Sequence, residues 1–144
     1  METSLDLSIK LKKINIESRF NYAFTKSTTE KLREGQNLNV IGKQLLYVPI
    51  HSGSLNFRLT YKNTFLSYQQ QIIGQRQTTR DNNPDDALNP YQLAQLLIGS
   101  SFKLKKNKLV ISLKVNNLWN ENYQVVAFQA MPPRHFSLSL FYDF

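Results

Sequence analysis

The sequence predicts an all-β chain: an antiparallel meander of about seven long strands that forms part of a transmembrane β-barrel. Three observations carry this reading. Apolar and polar residues alternate with period two over most of the chain, the pattern of a sheet whose two faces meet different surroundings. Many alternating runs approach roughly 9 to 11 residues, the length of a tilted membrane-spanning strand, where soluble sheets usually use about 5 to 6. The connections alternate between short and long, which gathers turns on one rim and loops on the other.

The first two strands are explicit. Leu5, Leu7, Ile9 and Leu11 alternate with Asp6, Ser8, Lys10 and Lys12, and after a tight turn Ile14, Ile16, Ser18, Phe20, Tyr22 and Phe24 alternate with Asn15, Glu17, Arg19, Asn21 and Ala23. Residues 37–48 form a weaker expected strand, with Leu38, Val40, Leu46 and Val48 on one parity, ended by Pro49. His51-Ser-Gly-Ser54 supplies turn chemistry. Leu55, Phe57, Leu59, Tyr61 and Phe65 then alternate with Asn56, Arg58, Thr60, Lys62 and Thr64, and β-compatible residues run on to about Ile73, an unusually long strand.

The polar stretch Gln75–Pro90 has the composition of an exposed loop. Ala94, Leu96, Ile98, Ser100, Phe102 and Leu104 make the next apolar face, and strand is preferred to helix over 91–98 although Asn89-Pro90 could start a helix. Lys106-Asn107-Lys108 turns the chain into Leu109, Ile111, Leu113, Val115 and Trp119. After the loop Glu121–Pro133 comes the cleanest strand: Phe136, Leu138, Leu140, Tyr142 and Phe144 against His135, Ser137, Ser139 and Asp143. The expected short connections are 12–14, 49–54 and 106–108, and the long ones 28–37, 75–90 and 120–133.

Composition limits the chemistry. A chain of 144 residues is enough for one ordinary domain. With no Cys, disulfides, thiolate zinc sites and cysteine nucleophiles are excluded together. Two histidines, His51 and His135, leave few ways to build a metal site or a general-base constellation. No catalytic, cofactor-binding or metal-ligating residue is therefore expected, and the chain is not read as an enzyme.

The 18 Lys+Arg against 10 Asp+Glu give a formal net charge of +8. The positive residues are scattered along the sequence, and the densest cluster, Lys103, Lys105, Lys106 and Lys108, reads as a solvated turn, so no nucleic-acid partner is expected. The opening Met1–Asp6 is acidic at position two and lacks an apolar core, unlike a secretory signal. No apolar run approaches the roughly 18 to 20 residues of a membrane helix. Either a cytosolic protein or a piece of something longer is expected.

Strand parity favours the piece. Bacterial single-chain barrels close with an even number of antiparallel strands, and seven is odd. With short turns at the periplasmic rim, the first strand has to begin at the outer rim, so an open sheet is expected: the C-terminal arc of a larger barrel.

The end of the chain carries a resemblance. Val115-Asn116-Asn117-Leu118-Trp119-Asn120-Glu121-Asn122-Tyr123-Gln124, then Met131-Pro132-Pro133-Arg134-His135-Phe136 and the terminal Tyr142-Asp143-Phe144, resembles the close of TonB-dependent outer-membrane receptors. Gly42-Lys43-Gln44-Leu45-Leu46-Tyr47-Val48-Pro49-Ile50-His51 looks like that family's segment leading into a periplasmic turn. The resemblance implies a barrel of roughly 22 strands with a plugged lumen, of which residues 1–144 are a C-terminal part without the plug domain and the N-terminal strands. It implies uptake of a scarce nutrient, a ferric siderophore or a cobalamin-like molecule, with the chain forming barrel wall and extracellular loops. The implied partners are outer-membrane lipid, the barrel-assembly machinery, the missing strands and plug, and the TonB energy-coupling complex, reached only through that plug.

Candidate residues follow. Phe136, Leu138, Leu140, Tyr142 and Phe144 resemble the C-terminal signal read by the barrel-assembly machinery, an edge strand offering backbone groups and alternate side chains. Tyr22, Phe24, Tyr61, Phe65, Trp119, Tyr123 and Phe136 are candidates for aromatic girdles at lipid headgroups. Glu17, Arg19, Arg58, Lys62, Lys103 and Lys114 would face the lumen. Arg76, Arg80, Asp81, Asp85 and Asp86 sit in a loop that would lie outside the cell and could contact ligand. Asp81–Asp86 lacks the Gly and terminal Glu of an EF-hand loop, so hydration is expected there rather than calcium. The alternative is a small soluble β-barrel or sandwich binding a ligand or polyanion, a monomer with salt-sensitive binding.

Overall fold

The computed structural model describes residues 1–31 and 38–143. Its regular elements are seven strands, β1 (Glu2–Leu11), β2 (Ile14–Phe24), β3 (His51–Tyr61), β4 (Thr64–Ile73), β5 (Tyr91–Leu104), β6 (Asn107–Asn116) and β7 (His135–Asp143), with single 3-10 turns at Leu38–Val40 and Pro84–Asp86. Every strand is antiparallel to its sequence neighbour, in one sheet ordered β1 to β7. β1 does not meet β7, so the sheet is open. The expected all-β meander is thus what forms, and β5 is strand throughout, as preferred over helix.

Two sequence expectations are corrected, and they compensate in the count. Residues 38–48 are not a strand: they lie in one long connection, 25–50, where Gly42 (φ 74°) and Tyr47 (φ 60°) break any extended run. Residue 37 of that expected strand lies outside the described residues. The long strand expected over 55–73 is two strands, β3 and β4, folded at Lys62-Asn63, where Lys62 takes φ 53°. The segment 42–51, expected to lead into a short turn, instead belongs to the rim of long connections. The short connections are 12–13, 62–63 and 105–106; the long ones are 25–50, 74–90 and 117–134.

Period-two alternation sorts the side chains onto two faces. Ile9, Ile16, Leu59, Leu66, Ile98, Leu113 and Leu138 stand in register as one row across all seven strands. The row behind it, on the other face, reads Ser8, Glu17, Arg58, Ser67, Leu97, Lys114 and Ser137. A two-residue turn pairs residues i and i+3, so the apolar parity changes at every hairpin: odd in β1, even in β2, odd in β3, even in β4. Phe65 is caught by that switch and points to the polar face.

Among the described residues nothing forms a second layer on the sheet. Among the described residues only Leu88 and Ala94 are buried apolar side chains, and the buried polar ones are Gln44, Arg76 and Asn117. All five sit in or next to the long connections. The solvent-accessible surface is 10784 Å² for 16.8 kDa, against about 7,700 Å² for a compact globule of that mass. The excess comes from a sheet open on both sides, and on the apolar face Leu5, Leu7, Phe20, Ile72, Ile98, Leu113, Leu138 and Leu140 are all exposed.

Candidate functional site

The apolar face has the height of a bilayer's hydrocarbon band. β2 runs 11 residues from Ile14 to Phe24; at about 3.3 Å per residue and a tilt near 40° that is roughly 25 Å. Aromatics mark both ends of it. Tyr22 and Phe24 lie at the long-connection end with His51, whose Nδ1 is 2.8 Å from the Tyr22 hydroxyl and whose ring centroid is 5.3 Å from that of Phe24. Phe136 shares that end, while Tyr61, Phe102 and Tyr142 lie on the same face at the short-turn end. Of the expected girdle, Tyr22, Phe24, Tyr61 and Phe136 lie on this face. Trp119 follows β6 in the connection 117–134, where its Nε1 donates to Gln70 Oε1 at 3.3 Å. Tyr123 is tilted against Tyr91, centroids 5.0 Å apart, beside the polar face. Phe65 is the correction: it stands on the polar face with the Arg58 guanidinium 4.6 Å above its ring.

The polar face holds most of the expected inward-facing charges. Arg19 binds Asp6 through two hydrogen bonds, 2.6 and 3.2 Å, an exposed bidentate pair of modest worth. Glu17 stands directly opposite Arg58. Lys103 and Lys114 lie on this face, and Lys62 is displaced into its turn. Towards the long connections of β4 to β7, Gln69, Gln71, Gln95, Asn116, Tyr123 and His135 surround a hollow of about 240 Å³.

The long connections are bolted to one another by polar side chains. Gln44, in the first, is buried; its Nε2 donates to the carbonyls of Thr25 and Val48 and its Oε1 accepts from Ser27 N–H. Asn82, in the second, copies a strand partner for it, accepting from Gln44 N–H at 2.7 Å and donating to Gln44 C=O at 2.9 Å. In the third, Asn117 donates to the carbonyls of Glu121 and Pro132 and accepts from Glu121 N–H. Buried backbone groups need such partners, and here side chains supply them.

The proposed ligand-contact residues divide. Arg76 is only 3 % exposed, and this corrects its expected place on an open loop. Its guanidinium donates to the carbonyls of Asn89 (3.1 Å), Gln124 (2.9 Å) and Val125 (3.4 Å) and lies 4.7 Å over the Tyr91 ring, tying the second connection to the third. Arg80, Asp81, Asp85 and Asp86 are on the outside of the second connection. Asp86 accepts from Asn83 Nδ2 at 2.8 Å, and its carbonyl accepts from the Thr78 hydroxyl. The Asp81 carboxyl is held below its ordinary range chiefly by a hydrogen bond from Thr79, with smaller help from backbone N–H groups and Lys43. Among the described residues no three His, Cys, Asp or Glu gather as metal ligands, and no helix is long and apolar enough to cross a membrane.

The expected C-terminal signal lies on β7, where Phe136, Leu138, Leu140 and Tyr142 form one exposed row on a strand paired only on its β6 side. Phe144 lies outside the described residues. Gln44 and Asn117 stand in the segments that carry the resemblance and Asn82 in the 81–86 stretch, but the sequence assigns none of them this tying role; Asn82 and Asn117 take a left-handed backbone, φ 56° and 49°, which Asn tolerates better than most residues.

These features define a class by architecture: an open, all-β antiparallel meander with one continuous apolar face and a rim of long connections tied by polar side chains. No known protein family and no curated protein matches the sequence. The fold is similar to that in the crystal structure of BauA, the ferric preacinetobactin receptor from Acinetobacter baumannii, with a TM-score of 0.68 and 16 % identity, over 99 % of this chain and 26 % of that one. The chain therefore spans about a quarter of that receptor's length, and at this identity the likeness is one of fold.

Proposed function

We propose that this chain is the closing arc of an outer-membrane receptor barrel resembling the TonB-dependent family, lining an uptake route for a scarce nutrient of the ferric-siderophore or cobalamin-like kind. It carries out no reaction of its own. Its strands face lipid on one side and a polar lumen on the other, and its long connections face outward and meet ligand. The observation that carries this reading is the apolar face: a band about 25 Å tall, bounded by aromatics and, among the described residues, covered by no second layer. In hydrocarbon every backbone group has to be paired, so a lipid-facing sheet has to close. β1 and β7 both run from the long-connection rim to the short-turn rim, so an odd number of further antiparallel strands completes the ring. Those strands, a plug and, through the plug, the energy-coupling complex are the partners of this reading. The exposed row on β7 is the surface offered to the barrel-assembly machinery. The ligand named for BauA favours a ferric chelate.

A soluble sandwich or barrel would bury one face of its sheet against a second layer, and here the apolar face is exposed. The test is to dilute the denatured chain into buffer or into phosphatidylcholine vesicles. Strand circular dichroism and vesicle flotation are expected only with lipid, with the open edges of β1 and β7 paired between copies of the chain. A monodisperse, folded monomer in plain buffer refutes the proposal.

A further inference from the structure

The fold collects positive charge that is scattered in the sequence. Lys12, Lys13, Lys62, Lys105 and Lys106 make up five of the six residues in the three short turns, and Lys10, Lys103 and Lys108 lie one or two positions inside them. Eight of the twelve lysines thus crowd one rim of the sheet, all of them exposed. Among the described residues the one acidic side chain at this height is Asp143, opposite Lys108.

Two further features show that the sequence tolerates a cost to keep lysine there. Lys103 and Lys108 face each other directly across β5 and β6, a like-charge pair that is unfavourable in the absence of an anion. Lys12, Lys62 and Lys105, the first residue of each turn, all take a left-handed backbone, φ 44°, 53° and 59°, where Gly or Asn is the unstrained choice. On the apolar face Tyr61, Phe102 and Tyr142 lie at the same height, the level at which aromatic rings meet lipid headgroups. The sequence cluster at 103–108, expected to be a solvated turn, supplies four of the eight lysines of this rim.

We infer that the short-turn rim is a docking surface for anionic phospholipid headgroups, whose phosphates sit between the turn lysines and set the depth and direction of the sheet in the bilayer. The inference rests on the lipid-facing reading for its orientation and adds the headgroup chemistry. Lysine near an anionic bilayer contributes roughly a fivefold gain in partitioning per residue, reduced by salt.

The test compares insertion of the full chain into vesicles of phosphatidylcholine alone and of phosphatidylcholine with phosphatidylglycerol, in low and high sodium chloride. Insertion is expected in both, with the phosphatidylglycerol vesicles preferred on the order of a hundredfold at low salt. Replacing Lys12, Lys105 and Lys106 together by Gln should lower that preference several-fold, replacement by Arg should keep it, and Lys26→Gln with Lys43→Gln on the opposite rim should leave it unchanged. Equal insertion into the two vesicles, or a preference untouched by the triple Gln variant, overturns the inference while leaving the lipid-facing sheet standing. Failure to insert into either vesicle overturns both. Inorganic phosphate or polyglutamate that abolishes the preference more strongly than chloride at the same ionic strength identifies a phosphate ion or an acidic polypeptide as the occupant and overturns the headgroup.

Discussion

Placing a charge at the centre of the apolar face separates lipid from water as its surroundings. Leu113 is 44 % exposed, near mid-height on β6, and is the sixth of the seven residues in the row from Ile9 to Leu138. Surrounded by water, Leu113→Arg would behave as an exposed substitution and change stability by no more than about 0.5 kcal/mol. Facing hydrocarbon at mid-height, it costs about 2–4 kcal/mol, a shift in the folding equilibrium of roughly 30-fold to nearly 1,000-fold. The cost depends on depth. Leu104, the last residue of β5 on the same face, lies at the short-turn rim, and Leu104→Arg should cost only about 0–1 kcal/mol. Ser139→Arg, on the polar face of β7, controls for the strand itself. The assay is urea unfolding of the vesicle-inserted chain, followed through its single tryptophan, Trp119. Equal, small effects at Leu113 and Leu104 would refute the assignment of this face to lipid.

Three other perturbations probe the rims and the polar face. Arg76→Met should weaken the docking of the second long connection on the third by about 2 kcal/mol: two good charge-assisted hydrogen bonds are lost, offset by removal of a buried charge that has no carboxylate partner among the described residues. Hydrogen exchange at Leu88, whose amide bonds to Arg76 C=O, should then quicken about 30-fold, and an unchanged rate counts against the tie. Gly99→Ala puts a Cβ 2.5 Å from Phe65 Cζ and 3.0 Å from the Ile111 carbonyl, so it should destabilise by about 1–3 kcal/mol; adding Phe65→Ala should recover part of that in a double-mutant cycle, and strict additivity refutes the contact. Asp81 is held below its ordinary value near 3.8, so its carboxylate stabilises the second connection above that pH and the contribution is lost as pH falls through the lowered value. Protection of Asn82 N–H, bonded to Thr79 C=O, relative to its intrinsic exchange rate at each pH, should be flat down to about pH 4 and fall below it; persistence of the acid limb in Asp81→Asn removes the assignment.

The face of each strand was legible wherever alternation ran unbroken, as in β1, β2, β5 and β7, because period two needs no knowledge of the partner strand. Boundaries failed where turn chemistry was unusual. Lys62-Asn63 contains neither Gly nor Pro, so β3 and β4 read as one strand, and the parity switch at that turn put Phe65 on the wrong face. The stretch 38–48 alternates weakly but has no neighbouring strand to pair with, and its backbone bonds go instead to Thr29, Ser27 and Gln77 in the loops. Seven was the right number because one strand too many and one turn too few cancelled.

The two rims were the least legible part, for different reasons. Gln44 and Asn82 are 38 residues apart and Arg76 and Gln124 are 48 apart, and each pair consists of a polar side chain bonded to backbone, a contact that leaves no compositional trace. The lysine rim is hidden by topology: its members fall in three clusters along the chain, each of which alone is an ordinary solvated turn, and only the up-and-down meander stacks the three turns at one edge. The chain thus spends polar hydrogen bonds to order one rim and unneutralised charge on the other. Under the proposed reading, such a wall has its direction across the bilayer written into the rims, a hydrogen-bonded end towards ligand and a cationic end towards phosphate, while the strands between them, apolar on one side and polar on the other, determine only that it spans.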